Sequence, residues 1–211
     1  MKKYYFFFKY VMLFVLLIFI SEVLKSSLDF DKLLYNSLAE KFTSRQIEKV
    51  LNIQEKWKWV VYVFIPVYVL IKTIIIASIL YIGIFFSNKE VEFKKVWNVV
   101  LNAEFIFLLV PVLKVIWFYF FQNIYTLDDF QYFHPLSALN ITGYKGVESW
   151  LIYPLQVFNL FELVFIIYLA YQIGHITKTN PDNGLKIVSY SYLPALLLWV
   201  TVVMFFTLNY S

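Results

Sequence analysis

Long apolar segments dominate this chain of 211 residues and limit what it can fold into. About 20 apolar residues are enough for a helix to cross a bilayer, and a soluble domain of this size has too little interior to bury several such segments. Only 15% of the residues are charged, whereas about 25% are charged in soluble domains. The apolar segments run from 4 to 20, 59 to 86, 96 to 121, 150 to 176 and 187 to 208. We therefore predict an all-α, polytopic helical membrane bundle.

The first apolar segment follows a basic start, Lys2 and Lys3, which is the arrangement of a signal peptide or of a first membrane span. No small-residue cleavage site follows it, so we predict a retained signal-anchor helix over residues 1–21. This segment is short for a span, and a re-entrant or surface helix is the alternative. The expected bundle has about five transmembrane helices, or four in the alternative.

Residues 22–58 form a polar segment that carries seven basic and six acidic side chains. We predict two short amphipathic helices here, with a partly ordered linker as the alternative. Thr43 followed by Gln46 has the form of a capping box at the start of the second helix. The apolar residues with helical spacing are Phe30, Leu33, Leu34 and Leu38, and then Ile47, Val50 and Leu51. Residues 59–211 complete the predicted organisation as a four-helix transmembrane region.

Lysines in the short turns predict the orientation in the membrane. The 87–95 turn has three and the 177–186 turn has two, whereas 122–149 contains only Lys145. Cytoplasmic loops carry an excess of Lys and Arg, so both basic turns and the N-terminus are expected in the cytoplasm. The 22–58 segment then lies outside with seven basic residues, against the simple rule. Lysine supplies 17 of the 18 basic residues, a bias that fits a bacterium and hence its inner membrane.

Two internal prolines predict kinked helices. Proline lacks a backbone N–H and frees the carbonyl four residues earlier. Pro66 is expected to kink the 59–86 segment and Pro111 the 96–121 segment.

Four Lys or Glu residues fall inside the predicted spans that follow the first one: Lys72, Glu104, Lys114 and Glu162. A charge in the middle of a membrane helix costs about 2.5 to 3.5 kcal/mol and needs a partner. Lys72 and Glu162 lie near the middle of their segments, so an interhelical Lys72–Glu162 pair is the leading prediction. A proton or ion path is the functional alternative. Snorkelling or a neutral lysine would be a third solution.

Uncharged polar residues accompany these charges. Gln156, Asn159 and Glu162 are spaced three apart and would share one broad helix face, whereas Asn98 and Asn102 would stack one turn apart. Such amides act as interhelical bonds worth about 0.6 kcal/mol each in a membrane. A polar interior to the bundle is therefore expected.

Motifs for catalysis, metal binding or cofactor binding are missing from the sequence. Asp128, Asp129 and His134 share one loop, but their spacing matches no metal motif, and we interpret them as ordinary loop residues. Cysteine is absent, which excludes disulfides and thiolate metal sites. The net charge of +4 comes from scattered lysines with no basic run, so no nucleic-acid partner is expected. We predict a protein that is not an enzyme and has no cofactor.

Three sequence blocks carry a family resemblance over residues 87–208. They read FKKVWNVVLNAEFIFLL, FNLFELVFIIYLAYQIGHI and GLKIVSYSYLPALLLWVTVVMFF. This order resembles the Yip family, the Ypt-interacting membrane proteins with bacterial relatives. In that family a basic turn leads into a span, and an F-x-x-W-type helix end precedes an L-x-x-x-G ending. Val164 stands near the place of the tryptophan, while Leu169 and Gly174 keep the approximate ending.

The resemblance implies a five-span bundle with a cytoplasmic N-terminus and a non-catalytic role. Eukaryotic members of the family act in vesicle trafficking with small GTPases. No long cytoplasmic region precedes the first apolar segment, so GTPase binding is not expected to transfer.

Three functional hypotheses follow from the sequence. The first is a scaffold or accessory subunit in the bilayer, with a protein partner or a second copy of itself, whose buried charges hold the helices together. The second is a small channel or an ion- or proton-coupled transporter that uses the same charges. The third is a membrane-perturbing effector or an immunity-type protein.

Overall fold

The computed structural model describes residues 2–210, with side chains over residues 6–209. Helices account for nearly all of this region, and its single β-bridge joins Ser137 to Asn159. The predicted all-α class is confirmed. The helices are α1 (Lys2–Ser27), α2 (Phe30–Ala39), α3 (Ser44–Phe86), α4 (Phe93–Glu104), α5 (Leu109–Phe120), α6 (Leu127–Tyr132), α7 (Ala138–Thr142), α8 (Ser149–Val157), α9 (Leu160–Ile176) and α10 (Pro181–Tyr210).

Four helical stretches in the described chain are long and apolar enough to cross a membrane. They are Phe6–Ser27, Ser44–Phe86, Phe93–Phe120 and Pro181–Asn209. These stretches include four of the five predicted spans. The fifth, predicted over 150–176, is divided into α8 and α9, and α9 alone is a shorter apolar helix.

The division between α8 and α9 falls at Phe158 and Asn159. Asn159 has an extended backbone, and its side chain caps α9 by accepting a hydrogen bond from the Glu162 N–H at 2.8 Å. Residues 136 and 138, earlier in the chain, form hydrogen bonds with backbone groups that the helix break leaves unpaired. Ala138 N–H donates to the Phe158 carbonyl at 2.9 Å, and Leu160 N–H donates to the Leu136 carbonyl at 3.1 Å. The expectation of one continuous helix over 150–176 is therefore wrong, because an asparagine cap and a paired loop replace the helical hydrogen bonds.

The polar segment contains one of its two predicted helices as a separate element. Helix α2 covers the predicted Phe30 to Leu38 repeat. The second predicted helix is the start of α3, which continues without interruption across the expected boundary at residue 58. No Gly or Pro occurs between Ser44 and Pro66, so nothing in the sequence ends the helix. At its start, the Gln46 side chain accepts a hydrogen bond from the Thr43 N–H at 3.0 Å.

The two prolines that were predicted to kink their helices have different surroundings. Pro66 is inside α3, and its own carbonyl accepts a hydrogen bond from the Tyr10 hydroxyl of α1 at 2.5 Å. Ahead of Pro111, a 3₁₀ turn over Phe105–Leu108 joins α4 to α5. Proline removes a hydrogen bond at that turn, and the tighter 3₁₀ pattern takes its place.

The main hydrophobic core lies between α3, α4, α9 and α10. Its most buried members include Leu80, Val100, Phe165, Leu169 and Val188. A smaller cluster fixes α1 to α3 and to the α4–α5 helix. Its buried members are Leu13, Val69, Leu101 and Leu108.

Helices α9 and α10 approach each other so closely that two glycines are required. A Cβ atom added at Gly184 would lie 1.9 Å from the Ala170 carbonyl oxygen and 2.7 Å from the Gly174 backbone nitrogen. A Cβ atom at Gly174 would lie 2.6 Å from the Asn180 carbonyl oxygen. These obstacles are backbone atoms, so a rotamer change cannot remove the clash.

We expect Gly184→Ala to destabilise the protein by about 3 kcal/mol, the upper end of the usual cost of overpacking, because the helices must separate. Asn183→Ala is the matched control, since that side chain is exposed on the neighbouring position. The control should change the free energy of unfolding by less than about 0.5 kcal/mol. Unfolding of the purified protein in mixed SDS micelles measures both. Equal stability of the two variants would contradict the close α9–α10 contact.

Candidate functional site within the helix bundle

A salt bridge joins α3 to the end of α4. The Lys72 Nζ atom lies 2.8 Å from the Glu104 Oε2 atom. The Glu104 side chain is 8% exposed and the Lys72 side chain 31%. The lysine nitrogen also lies 4.5 Å from the centre of the Phe107 ring, within the range of a cation–π interaction. Lys72 is thus neutralised by the carboxylate nearest to it on the adjacent helix.

The predicted direct pairing of Lys72 with Glu162 is wrong. Glu162 instead accepts a hydrogen bond from the Tyr192 hydroxyl of α10 at 2.6 Å. Its place in the first turn of α9 follows from the helix break at Asn159, which the sequence reading did not include. Glu162 nevertheless remains within electrostatic range of both Lys72 and Glu104.

We use the name charge cluster for Lys72, Glu104, Glu162 and Tyr192. One oxygen of this cluster, Glu104 Oε1, is buried and has no hydrogen-bond partner within the described chain. A buried carboxylate oxygen normally accepts at least one hydrogen bond. The cluster therefore has a free acceptor in its interior.

Both carboxylates of the charge cluster lie where a helix is interrupted. Glu104 is the last residue of α4, directly before the 3₁₀ turn. Glu162 is in the first turn of α9, directly after the extended Asn159. The two acids thus lie at helix ends and not in the middle of a continuous helix.

The break between α8 and α9 lies beside the middle of α10. On the α9 side, Glu162 contacts Tyr192. On the α8 side, the Tyr153 hydroxyl accepts a hydrogen bond from the Trp199 Nε1–H at 2.8 Å. The two contacts place α8 and α9 one after the other along α10.

The predicted polar face of Gln156, Asn159 and Glu162 does not form. Gln156 belongs to α8 and Glu162 to α9, with the extended Asn159 between them. The Asn159 amide donates to the Gln156 backbone carbonyl at 2.8 Å, so these residues close the helix break and do not line one helix.

Asn98 and Asn102 form the predicted polar pair on α4, and their partner is Lys9 of α1. The Lys9 Nζ atom lies 2.7 Å from Asn102 Oδ1 and 3.4 Å from Asn98 Oδ1. The sequence reading missed Lys9 because the residue follows a basic start. The sequence could have indicated this contact, because a lysine inside an apolar segment needs polar groups on a neighbouring helix.

Lys114 lies apart from the charge cluster. Its Nζ atom is 4.4 Å from the centre of the Phe130 ring, on α6. As expected from their ten-residue separation, Glu104 and Lys114 are not paired with each other, because Glu104 binds Lys72. His134 lies nearby, and burial together with the Lys114 charge lowers the pKa of this histidine.

Asp129, in the 126–146 loop, has structural contacts. Asp129 accepts hydrogen bonds from the Thr126 N–H at 2.9 Å and from the Tyr144 hydroxyl at 2.8 Å. Burial alone would raise the pKa of Asp129, but these hydrogen bonds together hold it below the ordinary value. The carboxylate thereby caps α6 and fixes the loop.

Comparison of the chain with protein-family models, curated proteins and solved structures finds no match. Within residues 2–210, no three His, Asp or Glu side chains converge as a candidate metal-binding group. Function must therefore be inferred from the geometry of the charge cluster and of the helix bundle.

We expect Lys72→Met to cost about 3 kcal/mol, because it leaves Glu104 buried without its cation. This value is at the lower end for broken buried pairs, since the Lys72 side chain is partly exposed. Adding Glu104→Leu should restore most of the lost stability, because no buried charge is then left unpaired. SDS unfolding of the two single variants and the double variant measures the coupling.

Lys95→Met is the matched control for this cycle. Lys95 pairs with Glu92 at 3.1 Å, but both side chains are exposed. The control should lose less than about 1 kcal/mol, as is usual for surface ion pairs. A double variant no more stable than Lys72→Met would show that the two side chains are not energetically coupled.

Proposed function

We propose that this chain is a non-enzymatic, multi-pass membrane protein that acts as a scaffold or accessory subunit. The observation that supports this role is the use of polar side chains within the bundle. They form bonds between different helices, as expected if their task is to fix the arrangement of the helices. The function then lies in the shape that the bundle presents to a partner protein or to a second copy.

A lipid environment is supported by the large apolar side chains that face outward. On α3, Phe64 and Tyr68 are each 65% exposed. On α10, Leu197 and Leu198 are exposed to a similar degree. Soluble proteins rarely expose apolar patches of this extent.

Five passes are supported by the way α8 and α9 lie along α10. Each contacts a different part of that helix, through Tyr153 and Glu162, so the two short helices together have the length of one pass. In this arrangement the basic 87–95 and 177–186 turns lie on the same side, and we place that side in the cytoplasm. The resemblance to the Yip family implies the same architecture and remains a prediction.

Polar contacts connect three pairs of neighbouring helices in the bundle. Lys72 with Glu104 joins α3 to α4, Tyr192 with Glu162 joins α10 to α9, and Lys9 with Asn102 joins α1 to α4. The Trp97 Nε1–H also donates to the Thr73 hydroxyl across α4 and α3 at 3.1 Å. In hydrocarbon such bonds, together with close packing, hold helices together, because apolar surface gives little preference for protein over lipid.

A proton- or ion-coupled transporter is the second candidate, and one observation favours it. Both carboxylates of the charge cluster lie at helix interruptions. In several transporter folds, ion sites are formed where membrane helices are discontinuous.

Cysteine labelling tests the five-pass arrangement, and the natural absence of cysteine makes every introduced thiol unique. We expect a membrane-impermeant maleimide to label Asn36→Cys and Thr142→Cys in intact cells or right-side-out vesicles. Ser87→Cys and Asp182→Cys should react only after the membrane is permeabilised. Labelling of Thr142→Cys and Asp182→Cys from the same side would show that α8 and α9 do not form a pass.

The scaffold role predicts that the protein keeps its partner when the salt bridge is replaced by an apolar pair. In native gel electrophoresis of solubilised membranes, the wild type should migrate as a complex larger than one chain. The double variant Lys72→Met with Glu104→Leu should migrate in the same way. Purified wild type in proteoliposomes should conduct protons no faster than empty liposomes. The scaffold role would be rejected, and the transporter supported, by two results together. The wild type would migrate as a monomer, and it would conduct protons in proteoliposomes whereas the double variant would not.

A further inference from the structure

We propose that Glu162 is a proton-binding site, which holds one exchangeable proton at neutral pH while Glu104 forms the salt bridge with Lys72. This site is independent of the scaffold role and does not require transport. Its ligand is a single proton, and its surroundings are the charge cluster at the α8–α9 break.

The balance of charge in the cluster is the first reason. Two carboxylates, Glu104 and Glu162, lie within electrostatic range of each other and share one lysine, Lys72. With both acids ionised, the cluster would carry one uncompensated negative charge inside the apolar bundle. One bound proton makes the cluster neutral, and a group taken out of water usually changes its protonation before it stays charged without a partner.

The contacts of the two acids differ, and this difference assigns the proton to Glu162. Glu104 is in direct contact with the ammonium group of Lys72. In the described part of the chain, the side-chain hydrogen bond of Glu162 comes from the Tyr192 hydroxyl. A hydroxyl can donate to a carboxyl group in either protonation state, so this contact is kept when the proton is bound.

Among the side chains that the structure describes, residues 6–209, no cation besides Lys72 acts on Glu162. The helices packed against α9 contribute Glu104 from α4 and Tyr192 from α10, and the 3₁₀ turn contributes the uncharged Phe107 ring. Tyr153 of α8 is also within electrostatic range of Glu162, and it is neutral below strongly alkaline pH. Within this described region, the cation in electrostatic range of Glu162 is Lys72, which is already bound to Glu104.

The location of Glu162 makes the proton exchangeable and couples it to the helix break. The residue lies in the first turn of α9, where the helix dipole stabilises the carboxylate that deprotonation leaves. The same turn is held by the Asn159 cap. Loss of the proton therefore changes the charge at the point where α8 and α9 meet.

Infrared spectroscopy of the protein in lipid nanodiscs tests this site. Ordinary Asp and Glu side chains, with pKa values of about 4, are ionised at neutral pH, so a carbonyl band from a protonated carboxyl group reports a perturbed acid. We expect one such band in the wild type at neutral pH, with its loss at strongly alkaline pH. Tyr192→Phe should shift the band, because it removes the hydrogen bond to Glu162. Glu162→Gln should abolish it.

Two further variants serve as controls. Glu148→Gln, which alters an exposed acid, should leave the band unchanged. Lys72→Met should double its intensity, since both acids then need a proton. Absence of the band from the wild-type spectrum would by itself overturn the proposal. A band that Tyr192→Phe does not move would place the proton on Glu104 and would also overturn it.

Discussion

The ion pair between Lys72 and Glu104 is the interaction on which the arrangement of the bundle depends. It joins the longest helix, α3, to the end of α4 at the point where the chain passes into a 3₁₀ turn. An unpaired charge in an apolar bundle costs several kcal/mol, so the rotation and height of these two helices are coupled to each other. The core between Leu80 and Val100 continues the same contact towards the 87–95 turn.

The second constraint is the interrupted helix opposite this pair. Asn159 ends one helix and starts the next, and a preceding loop satisfies the backbone groups at the break. Because Glu162 lies in the first turn after the break, its carboxylate is directed by α9 and bound by Tyr192 of α10. The ion pair and the break together place two acids and one lysine in a single cluster, and both the structural role and the proton site follow from that placement.

Much of the fold could be predicted from the sequence, whereas the pairing of its charges could not. The apolar segments identify the long helices because span length is a property of consecutive residues. A partner on another helix depends on which faces pack, and that information is not local. The sequence-based prediction placed Glu162 near the middle of a membrane span because it assumed one continuous helix over 150–176. A readable signal was present, since Asn159 followed three residues later by Glu162 has the form of a helix start.

The most direct test of the account is a through-space distance measurement by solid-state NMR in lipid bilayers, with the lysine side-chain nitrogens and the glutamate carboxyl carbons labelled. The Lys72–Glu104 ion pair predicts a strong correlation between the Lys72 Nζ atom and the Glu104 carboxyl carbon. This correlation should disappear in Glu104→Gln. A correlation of Lys72 with Glu162 in place of Glu104, or no correlation with either carboxyl group, would contradict it.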